Sequence, residues 1–102
     1  MLLAAALAAA CGAVHAAAID AGRAKAQSCT ACHGALGLAT LPDAPNLAGQ
    51  SPIYLTAQLR AFRSGARKHE VMSVVARTLS DDDIDDLAAW FASIQVQATA
   101  PR

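Results

Sequence analysis

The pattern of apolar and polar residues along the chain predicts helices joined by loops. After an apolar leader, residues 20–31 are rich in Ala, Lys, Arg and Gln, which favour helix, and Gly34 follows as a stop signal. Residues 34–50 contain three glycines and two prolines, which is typical of an ordered loop without regular structure. No strand-rich segment interrupts this pattern, so we predict an all-α fold.

Two later helices carry their own start and stop signals. Ser51 is an N-cap followed by a proline at the first helical position, and this helix is expected to end near Gly65. Ser80 and Asp83 resemble a capping box, so the last helix is expected from about residue 81 to residue 93 or slightly beyond. Apolar residues recur on one face of each helix at the 3.6-residue period. They are Leu55, Leu59 and Phe62 in the earlier helix, and Ile84, Leu87, Ala88, Phe91 and Ile94 in the last one.

Residues 1–18 have the features of a signal peptide, ahead of a single domain of residues 19–102. The Leu/Ala run is too short to span a bilayer, and Ala16 and Ala18 give an A-x-A cleavage site before Ile19. Cys11 could accept a lipid, but the Leu that should stand three residues before such a Cys stands four before it. We therefore predict export to the periplasm without lipid anchoring through Cys11.

The segment from residue 29 to residue 33 carries the most specific chemistry, because it reads C-x-x-C-H. On a helix, residues at i, i+3 and i+4 share a face, so both sulfurs and the imidazole meet the same neighbour. This motif attaches a c-type haem through two thioethers and ligates the iron with the adjacent histidine. We therefore predict one covalently attached haem c per chain, with Cys29 and Cys32 as attachment sites and His33 as an axial ligand.

Two other chemistries of this motif are less consistent with the chain. A thioredoxin-like redox pair would need a βαβ context, which the sequence lacks. A zinc site would need four ligands at a defined spacing, and only three are clustered here.

Met72 is the predicted second axial ligand. Apart from Met1 it is the only methionine, and it lies between two predicted helices. A polarizable thioether suits low-spin haem iron, and His–Met ligation raises the reduction potential of small cytochromes. His69 is the alternative ligand. If Met72 binds the iron, we expect His69 to be a surface residue within the polar run at residues 67–70.

The net charge and the charge pattern of the chain limit the kinds of partner that it can bind. The formal net charge is zero, with 8 basic and 8 acidic residues, so no overall field favours nucleic acid or an anionic membrane. Five aspartates at residues 81–86 are explained by the start of a helix. A local basic stripe is a candidate docking surface for a redox protein. It consists of Arg60, Arg63, Arg67 and Lys68. The alternative is that the stripe is a solvated flank and that partners dock on apolar residues at the haem edge.

These features predict a one-electron carrier and not an enzyme, because no acid–base or nucleophilic set is visible. We expect redox protein partners, no nucleic acid, no membrane span, and a monomer or a transient complex. One alternative is a haem subunit of a larger periplasmic redox enzyme. Another is a five-coordinate gas-binding or sensory haem protein, although four-helix proteins of that kind carry C-x-x-C-H near the C-terminus.

Several spaced motifs together resemble those of class I cytochromes c, and most closely small bacterial monohaem proteins and the halves of dihaem ones. The resemblance covers about residues 20–95 and rests on several segments. They are Gly22, C-T-A-C-H-G at residues 29–34, P-N-L-A-G-Q at 45–50, Y-L with Q-L and F-R-S-G at 54–65, Met72, L-S-D at 79–81 and L-A-A-W at 87–90.

This resemblance implies the class I cytochrome c fold, with helices wrapped around one haem. It also implies that the first and last helices cross near Gly22 and Trp90, and that the backbone carbonyl of Pro45 accepts the ring N–H of His33. Family members often carry a proline shortly before the ligand methionine, whereas Glu and Val precede Met72 in this chain.

Overall fold

The structure is a computed structural model that describes residues 2–102, together with the side chains of residues 11–13 and 15–102. It is helical, and no strand occurs among residues 2–102. Five α-helices and one 3₁₀ turn follow each other along the chain. They are α1 at Leu2–Lys25, the 3₁₀ turn at Ala26–Cys29, α2 at Thr30–His33, α3 at Pro52–Ser64, α4 at Met72–Arg77 and α5 at Asp81–Ser93.

The first predicted helix is interrupted before the cysteine motif is complete, because the chain tightens into the 3₁₀ turn. The Ser28 hydroxyl donates to the carbonyl oxygen of Lys25 at 3.1 Å. The Thr30 hydroxyl donates to the carbonyl oxygen of Gln27 at 3.0 Å. Such local bonds from Ser and Thr compete with the α-helical ladder and favour a tighter turn. Gly34 then ends α2 with a φ of 80°, so the predicted stop is confirmed.

Helix α1 passes through the predicted signal-peptide cleavage site without a break, since Ala16 and Ala18 lie within it. Met1 lies outside the described residues, as do the side chains of residues 1–10 and 14. No helix in the described part of the chain is long and apolar enough to cross a membrane. The signal peptide stays a prediction.

The start and stop signals of α3 and α5 act as predicted. The hydroxyl oxygen of Ser51 accepts the N–H of Tyr54 at 3.4 Å, and Gly65 ends α3 in the left-handed conformation. Ser80 and Asp83 form a reciprocal capping box, with N–H to side-chain distances of 3.1 and 3.0 Å. Both helices therefore begin where local hydrogen-bond acceptors are available to the first turn.

Helix α4 is not predicted by the sequence pattern. It spans only six residues, and its interior contains two adjacent valines, whose branched side chains lower helix propensity. Its N-cap position, Val71, offers no side-chain acceptor. The segment is nevertheless helical, and it packs against α3.

The core lies between α1, α3 and α5, and α5 contacts both of the other helices. The apolar periodicity predicted for α3 and α5 is confirmed, because most of these positions are buried. The buried positions are Leu55 and Phe62 in α3, and Ile84, Leu87, Ala88 and Phe91 in α5. Ala26 from the 3₁₀ turn completes the central cluster. Several of these side chains also line one cavity.

Candidate haem site

A cavity of about 370 Å³ lies where the cysteine motif, the 34–50 loop, α3, α4 and α5 meet. This volume falls within the usual range of small-molecule and cofactor sites. Most of its wall is apolar. The apolar lining residues include Leu41, Leu47, Tyr54, Leu55, Leu59, Phe62, Val71, Val75, Leu79, Leu87, Ala88 and Phe91. The helical core is therefore built around the cavity and does not fill it.

Cys29 and Cys32 line the cavity together and are both half-buried. Neither takes part in a disulfide. Burial raises the pKa of the Cys29 thiol, while the nearby Ser28 hydroxyl opposes that shift. Because thiolates form less readily when the pKa is raised, this sulfur keeps its proton at neutral pH.

His33 is the one buried polar side chain among the described residues, with 8% of its surface exposed. Its Nδ1 lies 2.8 Å from the carbonyl oxygen of Pro45, the two groups that the family resemblance pairs. A carbonyl can only accept, so Nδ1 carries the hydrogen and donates it. In the neutral ring, the lone pair of Nε2 is then available to a metal inside the cavity.

The loop that carries Pro45 is held by backbone bonds to its neighbours. The N–H of Leu47 donates to the carbonyl of Gly37 at 2.7 Å, and the N–H of Gly49 donates to the carbonyl of Phe91 at 2.9 Å. Asn46 accepts the N–H of Ala39 through its side-chain oxygen at 2.7 Å. The Pro45 carbonyl is therefore presented to His33 by a fixed loop.

Gly37 is a positioning residue of this loop that the motif analysis missed. Its φ is 78°, and a Cβ built on it would lie 2.8 Å from the Ala48 nitrogen and 2.9 Å from a ring carbon of Phe91. Only glycine fits this conformation and this spacing. The glycine content of the loop was visible in the sequence, but the contact with α5 was not.

Met72 and His69 also line the cavity, so the structure brings both candidates for the second ligand to the site of His33. Met72 begins α4 and is half-buried, whereas His69 is exposed, as expected. The side chain of His69 nonetheless forms hydrogen bonds within the protein. Its Nδ1 lies 3.2 Å from the backbone nitrogen of Val71 and 3.3 Å from that of Met72. Backbone N–H groups can only donate, so Nδ1 accepts, and in the neutral ring Nε2 carries the hydrogen.

Two of the four residues of the basic stripe form ion pairs within the protein. Arg60 lies 3.5 Å from Asp85. Arg63 lies 2.6 Å from Asp81 and also donates to the carbonyl of Leu79 at 3.2 Å. The Arg63 guanidinium lowers the pKa of Asp81 through that hydrogen bond. These pairs reduce the positive charge that α3 presents to a partner.

Arg67, the third arginine of the stripe, differs from the others because it lines the cavity. Its guanidinium lies 4.5 Å from the ring centroid of Phe62 and donates to the side-chain oxygen of Gln58 at 2.7 Å. It is the one Lys or Arg among the lining residues. An anionic group of a bound cofactor would therefore find its cation here.

This donor set fits a haem. Two thiols lie beside an imidazole with a free Nε2, and a thioether lies in the same cavity. The remaining wall is mostly apolar, with one guanidinium from Arg67, one carboxylate from Asp43 and several neutral polar groups. Iron in haem is bound by such nitrogen and sulfur ligands. The fold and the site together define an all-helical protein of the c-type haem class.

Comparisons with known proteins agree with this class. The family profile described as cytochrome c matches residues 19–95. Cytochrome c-554(548) of Halomonas halodenitrificans is 45% identical over 76 residues, covering 72% of this chain and 92% of that protein. The thiosulfate dehydrogenase electron acceptor of Stutzerimonas stutzeri is 43% identical over 74 residues, covering 70% of this chain and 34% of that protein.

The crystal structure of reduced recombinant cytochrome c4 from Pseudomonas stutzeri superposes with a TM-score of 0.73. Sequence identity is 29%, and the match covers 78% of this chain and 49% of that one. The chain belongs to the cytochrome c family and has the class I fold. Its cofactor is covalently bound haem c, and its function is electron transfer. It spans about a third of the thiosulfate dehydrogenase electron acceptor and half of cytochrome c4.

Proposed function

We propose that this chain is a periplasmic one-electron carrier whose haem iron is ligated by His33 and Met72. The observation that carries the proposal is the shared cavity, which holds an imidazole with a free Nε2 and a thioether together. Haem supplies a one-electron redox couple when bound. The protein's part would be to hold that group in an apolar cavity, with His33 and Met72 as the residues that bind its iron.

Attachment is assigned to Cys29 and Cys32. Each thiol would add across one vinyl group of the haem, with sulfur bonding to one carbon and the thiol hydrogen going to the other. A protonated Cys29 is consistent with the raised pKa of its buried thiol. Pro45 supports the same site, because its carbonyl fixes the ring of His33 by accepting from Nδ1.

Met72 is preferred to His69 on hydrogen-bonding grounds. The Nδ1 lone pair of His69 is shared between two backbone N–H groups, and its Nε2 then carries a hydrogen. A ring in that state has no free lone pair for iron. The sulfur of Met72 takes part in no hydrogen bond among the described residues, so its lone pairs are free to bind iron.

A permanent enzyme subunit is the second candidate function, and one comparison favours it over the gas-binding alternative. The relative from Stutzerimonas stutzeri is named as the electron acceptor of a thiosulfate dehydrogenase. A similar role would have this chain take electrons from an enzyme, either in a transient or in a lasting complex. Co-purification in a fixed ratio would distinguish the lasting complex from a free carrier.

Export is part of the proposal. Cleavage after Ala18 would remove residues 1–18, including Cys11, and leave a domain that begins at Ile19. N-terminal sequencing of the protein from periplasmic extracts should read Ile-Asp-Ala. Mature protein that retains Cys11 and carries a lipid would contradict this part.

The decisive experiment is visible spectroscopy of the haem-loaded protein. We expect a weak sulfur-to-iron band in the far red in the oxidised protein, and its loss in Met72→Ala. Val74→Ala, an exposed change in the same helix, is the matched control and should keep the band. A band missing from the wild type would exclude Met72 as the ligand, and a spectrum that changes only in His69→Ala would assign the ligand to His69.

Covalent attachment is tested separately by extraction. Acid-acetone should leave the haem on the wild-type protein, and free-thiol titration should find neither Cys29 nor Cys32. Cys32→Ala should yield little stable holoprotein, because the core is built around the cavity. Haem that extracts freely from the wild type would contradict the assignment.

A further inference from the structure

The side chain of His69 forms the start of helix α4. Its Nδ1 accepts from the backbone N–H groups of Val71 and Met72, at 3.2 and 3.3 Å. Its own backbone N–H donates to the hydroxyl of Ser73 at 3.0 Å, and the N–H of Ser73 donates to its carbonyl at 2.9 Å. Four contacts therefore tie His69 to the turn in which Met72 lies.

Helix α4 needs such a residue because it lacks an ordinary cap. The first N–H groups of any helix have no partner within the helix. Ser51 and Ser80 meet this need in α3 and α5, each by accepting an N–H of the first turn through its hydroxyl. The N-cap position of α4 is Val71, which cannot do so.

The backbone before Met72 has few other constraints. Within the helix, the Val71 carbonyl accepts the N–H groups of Val74 and Val75 at 3.1 and 3.0 Å. No proline limits it, since Glu70 and Val71 precede the methionine. Two valines follow within the helix, and both are exposed, so packing of these side chains contributes little to holding the turn. The hydrogen bonds of His69 and Ser73 are the contacts that satisfy the N–H groups at the start of α4.

We propose that His69 is a positioning residue that holds the Met72 thioether in place by accepting the N–H groups of the first turn of α4. This inference rests on the proposed ligation by Met72. The histidine acts through the methionine and does not bind iron. Its loss should leave the haem attached and Met72 present, but should make the thioether easier to displace.

Displacement of Met72 by added imidazole is the direct measurement. In oxidised, haem-loaded protein the external ligand binds only after the thioether leaves, so its binding rate at saturation reports how often Met72 dissociates. We expect His69→Ala to raise that rate about tenfold, which is about 1.4 kcal/mol. This is the size expected for the net contribution of one or two hydrogen bonds.

The conservative variant is His69→Asn. The side-chain oxygen of asparagine branches from the same carbon position as Nδ1 of histidine, so it can accept the same N–H groups. We expect His69→Asn to restore a rate close to that of the wild type. Glu70→Gln is the matched control, because Glu70 is an exposed neighbour without a side-chain hydrogen bond among the described residues.

Which ring nitrogen of His69 carries the hydrogen can also be measured directly, in addition to the displacement rates. Nitrogen-15 spectra of the histidine side chain should show Nδ1 without a hydrogen and Nε2 with one. A protonated Nδ1 in the neutral ring would overturn the inference. So would equal displacement rates in the wild type, His69→Ala and His69→Asn, provided that all three keep the far-red band.

The spectra of the two variants distinguish failure of the proposed Met72 ligation from failure of the inference about His69. If Met72→Ala left the wild-type spectrum unchanged while His69→Ala altered it, His69 would be the iron ligand, and both the proposed ligation and this inference would be wrong. If Met72→Ala removes the band and His69→Ala leaves the displacement rate unchanged, only the inference fails.

Discussion

The backbone of Gly22 in α1 lies directly against the carbonyl group of Asp86 in α5, with no side chain between them. A Cβ built on Gly22 would overlap the carbonyl oxygen and lie 2.8 Å from the Cβ of Trp90. The guanidinium of Arg23 lies 5.7 Å from the Trp90 ring centroid beside this contact. This is the helix crossing that the family resemblance implies, and it sets how closely α1 approaches α5.

Gly22→Ala should destabilise the protein, although alanine is the better helix former. Alanine would gain about 1 kcal/mol of helix propensity at an unconstrained site. Here the added methyl group overlaps the backbone of α5, and overpacking of this kind costs about 1–3 kcal/mol. We expect a lower guanidinium midpoint for the holoprotein. Ala24→Ser, on an exposed face of α1, is the control, and a midpoint for Gly22→Ala at or above the wild-type value would contradict the prediction.

The same helix pair is held by an ion-pair network that should depend on pH. Lys25 Nζ lies 2.8 Å from Asp83 and 2.7 Å from Asp86. The hydrogen bond from Lys25, with the capping bond from Ser80, lowers the pKa of Asp83 from 3.8 to about 2. The hydrogen bonds to Asp83 and Asp86 raise the pKa of Lys25 above its ordinary value of 10.5.

The direction of the pH effect follows from these shifts. A lowered carboxyl pKa contributes stability that is complete above 3.8 and is lost as the pH falls through about 2. A raised lysine pKa contributes stability below 10.5 that is lost as the pH rises beyond it. Lys25→Met should therefore lower the unfolding midpoint at neutral pH, and the difference from the wild type should shrink near pH 2.

Denaturant unfolding across this pH range, in low and high salt, measures the effect. The three side chains are partly exposed, so about 1 M salt should also reduce the difference. Lys68→Met is the matched control, because no ion pair in residues 2–102 includes Lys68. A difference that is independent of pH and salt would show that Lys25 acts through packing alone.

Local signals explain which parts of the fold were predictable. Ser51, Gly65, Ser80 and Asp83 act within their own turns, so the bounds of α3 and α5 followed from the sequence. The haem-attachment motif is local in the same sense, since its three functional side chains lie within five residues. Apolar periodicity then gave the buried faces of both helices.

The features that sequence analysis missed depend on contacts between elements or on an unusual hydrogen-bond acceptor. The pairing of Arg63 with Asp81 joins residues that are 18 positions apart, and it became visible only once α3 and α5 were packed. Helix α4 was missed because its valines disfavour helix and its N-terminal acceptor is an imidazole. His69 was correctly placed at the surface, but its bonds to the Met72 turn were not foreseen.

Arg67 should raise the reduction potential. A positive charge at the cavity wall disfavours the additional positive charge of oxidised iron, so Arg67→Gln should lower the potential. We expect a fall of about 60 mV, which corresponds to a tenfold change in a one-electron equilibrium. Redox titration measures it. Arg60→Gln is the control, because Arg60 does not line the cavity and pairs with Asp85. Equal shifts in the two variants would show that only overall charge matters.

The final prediction concerns how partners dock. Two arginines of the basic stripe, Arg60 and Arg63, are paired with aspartates, which weakens charge steering by α3. Four apolar residues that line the cavity are also exposed, and we call them the apolar rim. They are Leu41, Tyr54, Val71 and Val75, with 39–49% of their surfaces exposed. Contact over this rim would bring a partner close to the haem without needing net charge.

Electron self-exchange between oxidised and reduced copies tests this without a known partner. If docking uses the apolar rim, the rate should change little as the Debye length falls from about 10 Å at 0.1 M salt to about 3 Å at 1 M. Leu41→Ser should slow the exchange, and Lys68→Glu should leave it unchanged, with the far-red band kept in both variants. The opposite pattern, with a strong salt dependence and a large effect of Lys68→Glu alone, would assign docking to the basic stripe, since charge steering acts mainly on encounter rates and is screened by salt.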